Sequence, residues 1–212
     1  MSDFDRSPDC LAFSPAVQAA QTRLGSRRLF EAAQWPIDIS PELESFIAAQ
    51  RSVFLATASA EGRPYVQHRG GPPGFIRLLD SRTLAMADLR GNRQYISLGN
   101  LPENDRVELF LIDYMRRQRV KIWGRGRMVE DDPALVARLL PEGGRADRAL
   151  VIAVEAWDVN CSQHIPQRFE AEDVARALAA REARIAELER EVAVLQQQLA
   201  VREVCGDDLW EG

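Results

Sequence analysis

Apolar and polar residues change their period twice along the chain, and each change marks a different kind of element. Residues 14–33 (SPAVQAAQTRLGSRRLFEAA) open on Ser-Pro and place Val17, Leu24 and the Leu29/Phe30 pair at helical spacing, so one helix is predicted there, closed by Trp35-Pro36. Ser40-Pro41 starts a second helix to about Gln50, with Leu43, Phe46 and Ile47 facing inward. From Ser52 the period shortens to two. Strands are predicted at 52–58, 64–69, 75–79, 83–87, 106–114, 118–129 and 149–159, with a short helix at 131–140. Gly124 and Gly126 inside the longest of these predict a bend or bulge. Six or seven antiparallel strands joined by hairpins close into a small barrel, which removes sheet edges; a sandwich is the alternative.

From Glu170 the period lengthens again. Val174, Leu178, Arg181, Ile185, Leu188, Val192, Leu195 and Leu199 alternate in steps of four and three, an a/d heptad series interrupted only by Arg181. A seam this narrow predicts a two-chain coiled coil; the alternative is a single amphipathic helix lying on the barrel. The chain therefore divides into an N-terminal helical segment (1–51), a β-barrel (52–169) and a C-terminal heptad helix (170–205).

The stretch 85–101 (AMADLRGNRQYISLGNL) holds the sharpest candidate chemistry. An apolar run ends at Asp88, a tight turn follows at Arg90-Gly91-Asn92, and Arg93, Gln94 and Ser97 fall on a predicted short helix. Free N–H groups at a helix start, with an arginine fork beside them, suit a phosphate. The alternative is an ordinary capped surface helix. Charge supports an anionic ligand. The net charge is −5, yet residues 62–128 carry thirteen Lys/Arg against six Asp/Glu. Overall acidity and the lack of a groove-reading motif argue against nucleic acid. No apolar run reaches the ~20 residues of a membrane span, and the start has no secretory h-region, so a cytoplasmic location is expected. Cys10, Cys161 and Cys205 form no pairing or metal pattern, and only His68 and His164 are available as imidazole ligands, so no metal site is expected.

Four segments, YVQHRGGPPGFIRLLD (65–80), LAMADLRGNRQYISLGNL (84–101), RVKIWGRGRMVEDDP (119–133) and VEAWDVNCSQHIPQRF (154–169), resemble the FMN-binding split-barrel proteins of the pyridoxamine 5′-phosphate oxidase-like family. The resemblance covers roughly residues 54–169 and implies a mainly β fold with flanking helices, a split antiparallel barrel. It implies a homodimer with FMN in clefts between subunits. It assigns His68, Arg69 and Gly70, then Asp88, Asn92, Arg93, Gln94 and Ser97, to the phosphate and ribityl chain. Arg119, Lys121 and Trp123 would reach the partner's isoalloxazine, and Trp157, Gln163, His164 and Arg168 would close over the flavin face. The family's oxidases end in a basic Arg–His segment; here SQHIPQRF leads into an acidic helix, which argues against pyridoxal phosphate synthesis.

Each of these residues also has an ordinary reading. His164 is either a capped loop histidine or a donor to a reduced substrate. Trp123 and Trp157 are either barrel core or flavin contacts. Asp88 either caps the helix or meets the ribityl hydroxyls. Two functions follow. One is an oxidoreductase whose FMN takes a hydride from NAD(P)H or a small organic donor. The other is a non-enzymatic flavin sensor or scaffold whose coil recruits a partner. No GxGxxG fingerprint is present, so NAD(P)H would dock transiently on the flavin, and a deazaflavin in place of FMN stays open.

Overall fold

The computed structural model describes residues 11–31, 34–160 and 162–207, with side chains described to residue 200. The readings placed on Cys10, Cys161, the side chain of Cys205 and the tail after 207 lie outside the described residues. The chain divides into two compact units, up to Pro166 and from Gln167 onward.

The first unit is one seven-stranded antiparallel sheet in the order β2-β1-β5-β6-β7-β4-β3. The strands are β1 (Ser52–Ala58), β2 (Pro64–Gly70), β3 (Arg77–Asp80), β4 (Thr83–Leu89), β5 (Arg106–Asp113), β6 (Gln118–Val129) and β7 (Ala146–Asn160). Strict alternation selects the inner face. Val53 and Leu55, Val107, Leu109 and Leu111, and Val120 and Ile122 all point into one core. Helix α3 (Pro41–Ala49) adds Leu43, Phe46 and Ile47, and Ser40 caps it by accepting from the Leu43 amide at 3.3 Å. On the other face, α5 (Pro133–Leu139) lays Val136 and Leu139 over Ala85, Ala87, Ala149 and Val151, where small side chains let it approach. β2 and β3 are the sheet edges and do not pair with each other. The barrel is therefore split, with its edges left open at this seam.

Two sequence expectations fail at the N terminus. The predicted single helix at 14–33 is two pieces, α1 (Pro15–Arg23) and α2 (Arg27–Phe30). Gly25, at φ +78°, breaks it: the amides of Leu24, Gly25 and Ser26 turn back to the carbonyls of Ala20, Thr22 and Gln21. The expected apolar stripe is not its buried face. Val17, Leu24, Leu29 and Phe30 are exposed, and Gln21 is the buried residue of α1. The following segment is anchored along β7. The Trp157 amide donates to the Pro36 carbonyl at 3.0 Å and its indole Nε1 to the Asp38 carbonyl at 3.1 Å.

The second unit is α6 (Ala171–Asp207). Its heptad seam residues, Val174, Leu178, Ile185, Leu188, Val192, Leu195 and Leu199, are all exposed.

The bulge predicted from the glycines is present as a register shift between Trp123 and Gly124, opposite Ala156 and Val154 of β7. Gly124 is there because the strands meet too closely for a side chain. A Cβ at this position would lie 2.3 Å from the Ala153 carbonyl oxygen. Gly124→Ala should therefore destabilise by about 3 kcal/mol or more, the upper end for overpacking. Gly99→Ala, where nothing lies within 4 Å, should be neutral or stabilising by up to about 1 kcal/mol. Urea unfolding of the two variants checks the pair; equal midpoints would contradict this account.

Candidate functional site

A cavity lies at the open seam of the barrel. β2 lies on one side; the end of β4, the loop after it, α4 (Ile96–Asn100) and the start of β7 lie on the other. The cavity measures about 530 Å³, within the range of small-molecule and cofactor sites.

Alternation on β2 decides what faces it. Tyr65, Gln67 and Arg69 line the cavity. His68 lies between them in sequence and is exposed, with its ring against Phe54 at 5.6 Å. Three consecutive strand residues cannot share one face, so His68 and Gly70 are separated from Arg69.

Arg69 reaches across the seam. Its Nη1 donates to Asp88 Oδ1 at 2.6 Å, and both side chains are largely shielded, 11% and 19% exposed. Arg148, at the start of β7, approaches the same carboxylate from the other side. Its Nε lies 3.8 Å from Asp88 Oδ2 and 3.4 Å from Glu130, and its guanidinium sits 5.4 Å over the Tyr95 ring. Asp88 and the exposed Glu130 do not satisfy every donor of the two guanidiniums. Arg69 Nε and Arg148 Nη1 are shielded from solvent and have no hydrogen-bond partner among the described residues. Buried donors left unpaired are costly and call for an acceptor.

The loop between β4 and α4 supplies the rest. The Gln94 amide donates to Asn92 Oδ1 at 3.2 Å, an Asx turn. Arg93 and Tyr95 both sit in the left-handed region, at φ +59° and +55°. That conformation costs about 1–2 kcal/mol per non-glycine residue. The helix was expected to begin at Arg93. It begins at Ile96 and runs five residues, because Tyr95 in the left-handed region breaks the run and provides no side-chain cap. Arg93 and Gln94 are therefore exposed loop residues, whereas Ser97 is buried and donates its hydroxyl to Gln67 Oε1 at 3.1 Å. Arg90 forms a two-pronged pair with Asp147 at 2.6 and 3.0 Å. These hydrogen bonds hold the Asp147 carboxyl below the usual carboxylate range and push the Arg90 guanidinium up. In all, four arginines and two aspartates line the cavity, which leaves it positive.

The structure thus brings Arg69, Asp88, Asn92, Arg93, Gln94 and Ser97 to one cavity. It does not bring His68, Gly70, Arg119, Lys121, Trp123, Trp157, Gln163 or His164 to that lining; Arg168 belongs to the second unit. Trp123 stacks on Trp35 of its own chain, rings 4.8 Å apart and 6° from parallel. Trp157 is packed against the core. Arg119 and Lys121 lie on the outward face of β6, paired in register with Asn160 and Asp158. Arg119 Nε and Asn160 Oδ1 are both shielded there and have no hydrogen-bond partner among the described residues. His164 is exposed, at φ +62°. Sequence reasoning missed Gln67, Tyr95 and Arg148. The first had a signal, the two-residue period with Arg69. Arg148 had none, because Ala146–Arg148 carries no apolar alternation and reads as loop.

The family model for pyridoxamine 5′-phosphate oxidase matches residues 39–161, more than half of the chain. No curated protein matches. Among solved structures, HupZ of Group A Streptococcus is 19% identical over 62% of this chain and 99% of its own, with a TM-score of 0.48. A Clostridium acetobutylicum protein related to general stress protein 26 is 14% identical over 63% and 94%, TM-score 0.43. HutZ, the heme storage protein of Vibrio cholerae, is 19% identical over 57% and 94%, TM-score 0.41.

Asp88 is the carboxylate on which the seam depends. Asp88→Ala should destabilise by about 3 kcal/mol, the cost of stranding shielded charges. Asp147→Ala, which removes an exposed, solvent-screened pair, should cost far less. Chemical denaturation compares them; similar losses would show that Asp88 is not special.

Proposed function

The chain belongs to the pyridoxamine 5′-phosphate oxidase family, and on that premise we propose that the cavity at the seam binds FMN by its phosphate, in a flavin-dependent oxidoreductase. The observation that carries this reading is the pair of shielded, unpartnered guanidinium N–H groups, Arg69 Nε and Arg148 Nη1. A phosphate offers several acceptor oxygens and two charges, which suits two convergent forks. Arg69 and Arg148 would grip it from opposite sides of the seam. Arg93 would cover it from the loop, and the Asn92, Gln94 and Ser97 side chains would add neutral contacts. Asp88 acts as the spacer that orients both guanidiniums.

Bound FMN would supply hydride and electron transfer; the protein binds, orients and shields it. NAD(P)H or a small organic donor is the proposed reductant. Haem is the competing ligand: of the side-chain types that bind haem iron, the two histidines are exposed and outside the lining, whereas Met128, Tyr65 and Tyr95 lie within it.

Family members are typically dimeric, and we place the shared face on the outward side of β1, β5 and β6. There Phe54 pairs across to Phe110, and Phe110 to Lys121. Phe54, Phe110 and Ile112 are half-buried in the single chain. Glu108 belongs to the same face; burial pushes its carboxyl up against the opposing pull of Lys121 and the Trp123 indole. Arg119 and Lys121 are the residues proposed to reach the partner's flavin. Trp123, already stacked on Trp35, is left out of that role.

The protein should purify yellow, and the extracted pigment should be FMN; FAD, a deazaflavin, haem or no pigment would count against the reading. Arg148→Ala and Arg93→Ala should each weaken FMN binding by about 1.5–3 kcal/mol, the worth of a hydrogen bond to a charged group. Riboflavin, which lacks the phosphate, should lose little, so equal losses for both ligands would point to a folding effect instead. Anaerobic NADH or NADPH should bleach the flavin. A flavin that neither reductant bleaches would favour the sensor or scaffold reading.

A further inference from the structure

We propose that α6 pairs with α6 of a second copy of this chain as a parallel, in-register two-stranded coiled coil. The proposal does not depend on what the cavity binds.

The helix runs 37 residues, about 55 Å at 1.5 Å per residue. Seven large apolar residues repeat along it at four and three, and all are exposed. A helix with so narrow an apolar stripe is stabilised by a matching stripe, not by a broad globular face.

The residue types choose the partner and its direction. In this frame Leu178, Ile185, Val192 and Leu199 occupy a positions, and Val174, Arg181, Leu188 and Leu195 occupy d positions. The two central heptads, Ile185/Leu188 and Val192/Leu195, have a β-branched residue at a and leucine at d. That combination favours two parallel strands over three or four.

The flanks agree. In a parallel pair, a g residue faces the e residue five positions later on the other helix. Arg184 at g then faces Glu189 at e, an attractive pair that symmetry forms twice. Ala177 faces Glu182, and Glu191 faces Gln196, so no like charges meet across this pairing. Within its own helix Arg184 pairs with Glu187, whereas Glu189 has no charged residue three or four positions away. Glu189 is thus available for a partner's arginine. Arg181, at d, lies beside the other helix's Glu182 at e, which gives its guanidinium a counter-charge at the coil edge. Two arginines meeting in one layer need both glutamates in place, so this layer also penalises a register slip.

The test uses the full chain with Cys10, Cys161 and Cys205 replaced by serine, and one new cysteine at a time: L178C, L188C or L199C. In a parallel in-register coil, each residue faces its own copy within disulfide reach at every a and d layer. All three variants should therefore give a covalent dimer on mild oxidation, seen on a non-reducing gel. An antiparallel pair would link only L188C, near the centre. A helix folded back on its own chain, or free in solution, would link none. Either result overturns the proposal. A second measurement does not need the new cysteine to leave the seam undisturbed. E189R added to L199C should slow cross-linking several-fold, because Arg184 would then face a like charge on the other helix. R184E added to that variant should restore the rate. Failure of the double exchange to restore it would overturn the pairing.

Discussion

The Arg69–Asp88 contact spans the open seam of the barrel, and the arrangement of the site follows from it. β2 ends one side of the sheet, and β4 lies next to the opposite edge. No backbone ladder joins them. The join is made by side chains: Arg69 to Asp88 at 2.6 Å, seconded by Ser97 to Gln67 at 3.1 Å. Backbone pairing would have sealed the barrel and left no cavity. A salt bridge holds the edges at a side chain's distance and leaves room between them. Its stoichiometry then sets the chemistry. Asp88 is shared between Arg69 and Arg148, with Glu130 beside Arg148, and one shielded N–H on each guanidinium still finds no acceptor among the described residues. An anion added there relieves a deficit already present in the fold.

The strands deliver these groups because β7 is long. It begins at Ala146 beside Leu89 of β4 and ends at Asn160 beside Arg119 of β6. One strand thus serves the cavity at its start and the outward face of β6 at its end. A flat strand of 15 residues could not follow a curved wall. The Gly124 bulge, where β6 approaches the Ala153 carbonyl, gives the extra twist. Packing at a glycine remote from the cavity therefore helps to place Arg148 within it.

The sequence carried the sheet well and the site unevenly. Alternation located β1, β2, β5 and β6, whose burial falls on every second residue, while β4 and the middle of β7, buried on both faces, were legible as short apolar runs. Gly124 and Gly126 marked the bulge for the same local reason. The site is a product of closure, and closure is not local. Arg69 and Asp88 are nineteen residues apart and meet only when the two edges of the sheet are brought round. The family resemblance placed His68, Arg69 and Gly70 together, but the strand period divides them. The helix expected at Arg93 begins at Ile96, because the left-handed turn at Arg93 and Tyr95 could not be read from side chains with no glycine bias. Arg148 was invisible because a strand that starts with Ala-Asp-Arg has no hydrophobic signature.

The basic middle of the chain looks different once its pairs are assigned. Arg82 is matched by Asp38, Arg90 by Asp147, and Arg125 by both Asp105 and Glu155, which push its guanidinium up. Several of the cations between residues 62 and 128 therefore brace the barrel and are not offered to a ligand. Solvent-screened pairs of this kind contribute little each, but they engage arginines that would otherwise be free. At the seam, Arg93 stands on its strained loop, and Arg69 and Arg148 each keep one shielded N–H without an acceptor among the described residues. Net charge over a stretch of sequence pointed toward an anion. Which of those cations face the cavity, Arg69, Arg90 and Arg93, is decided by the closure of the sheet.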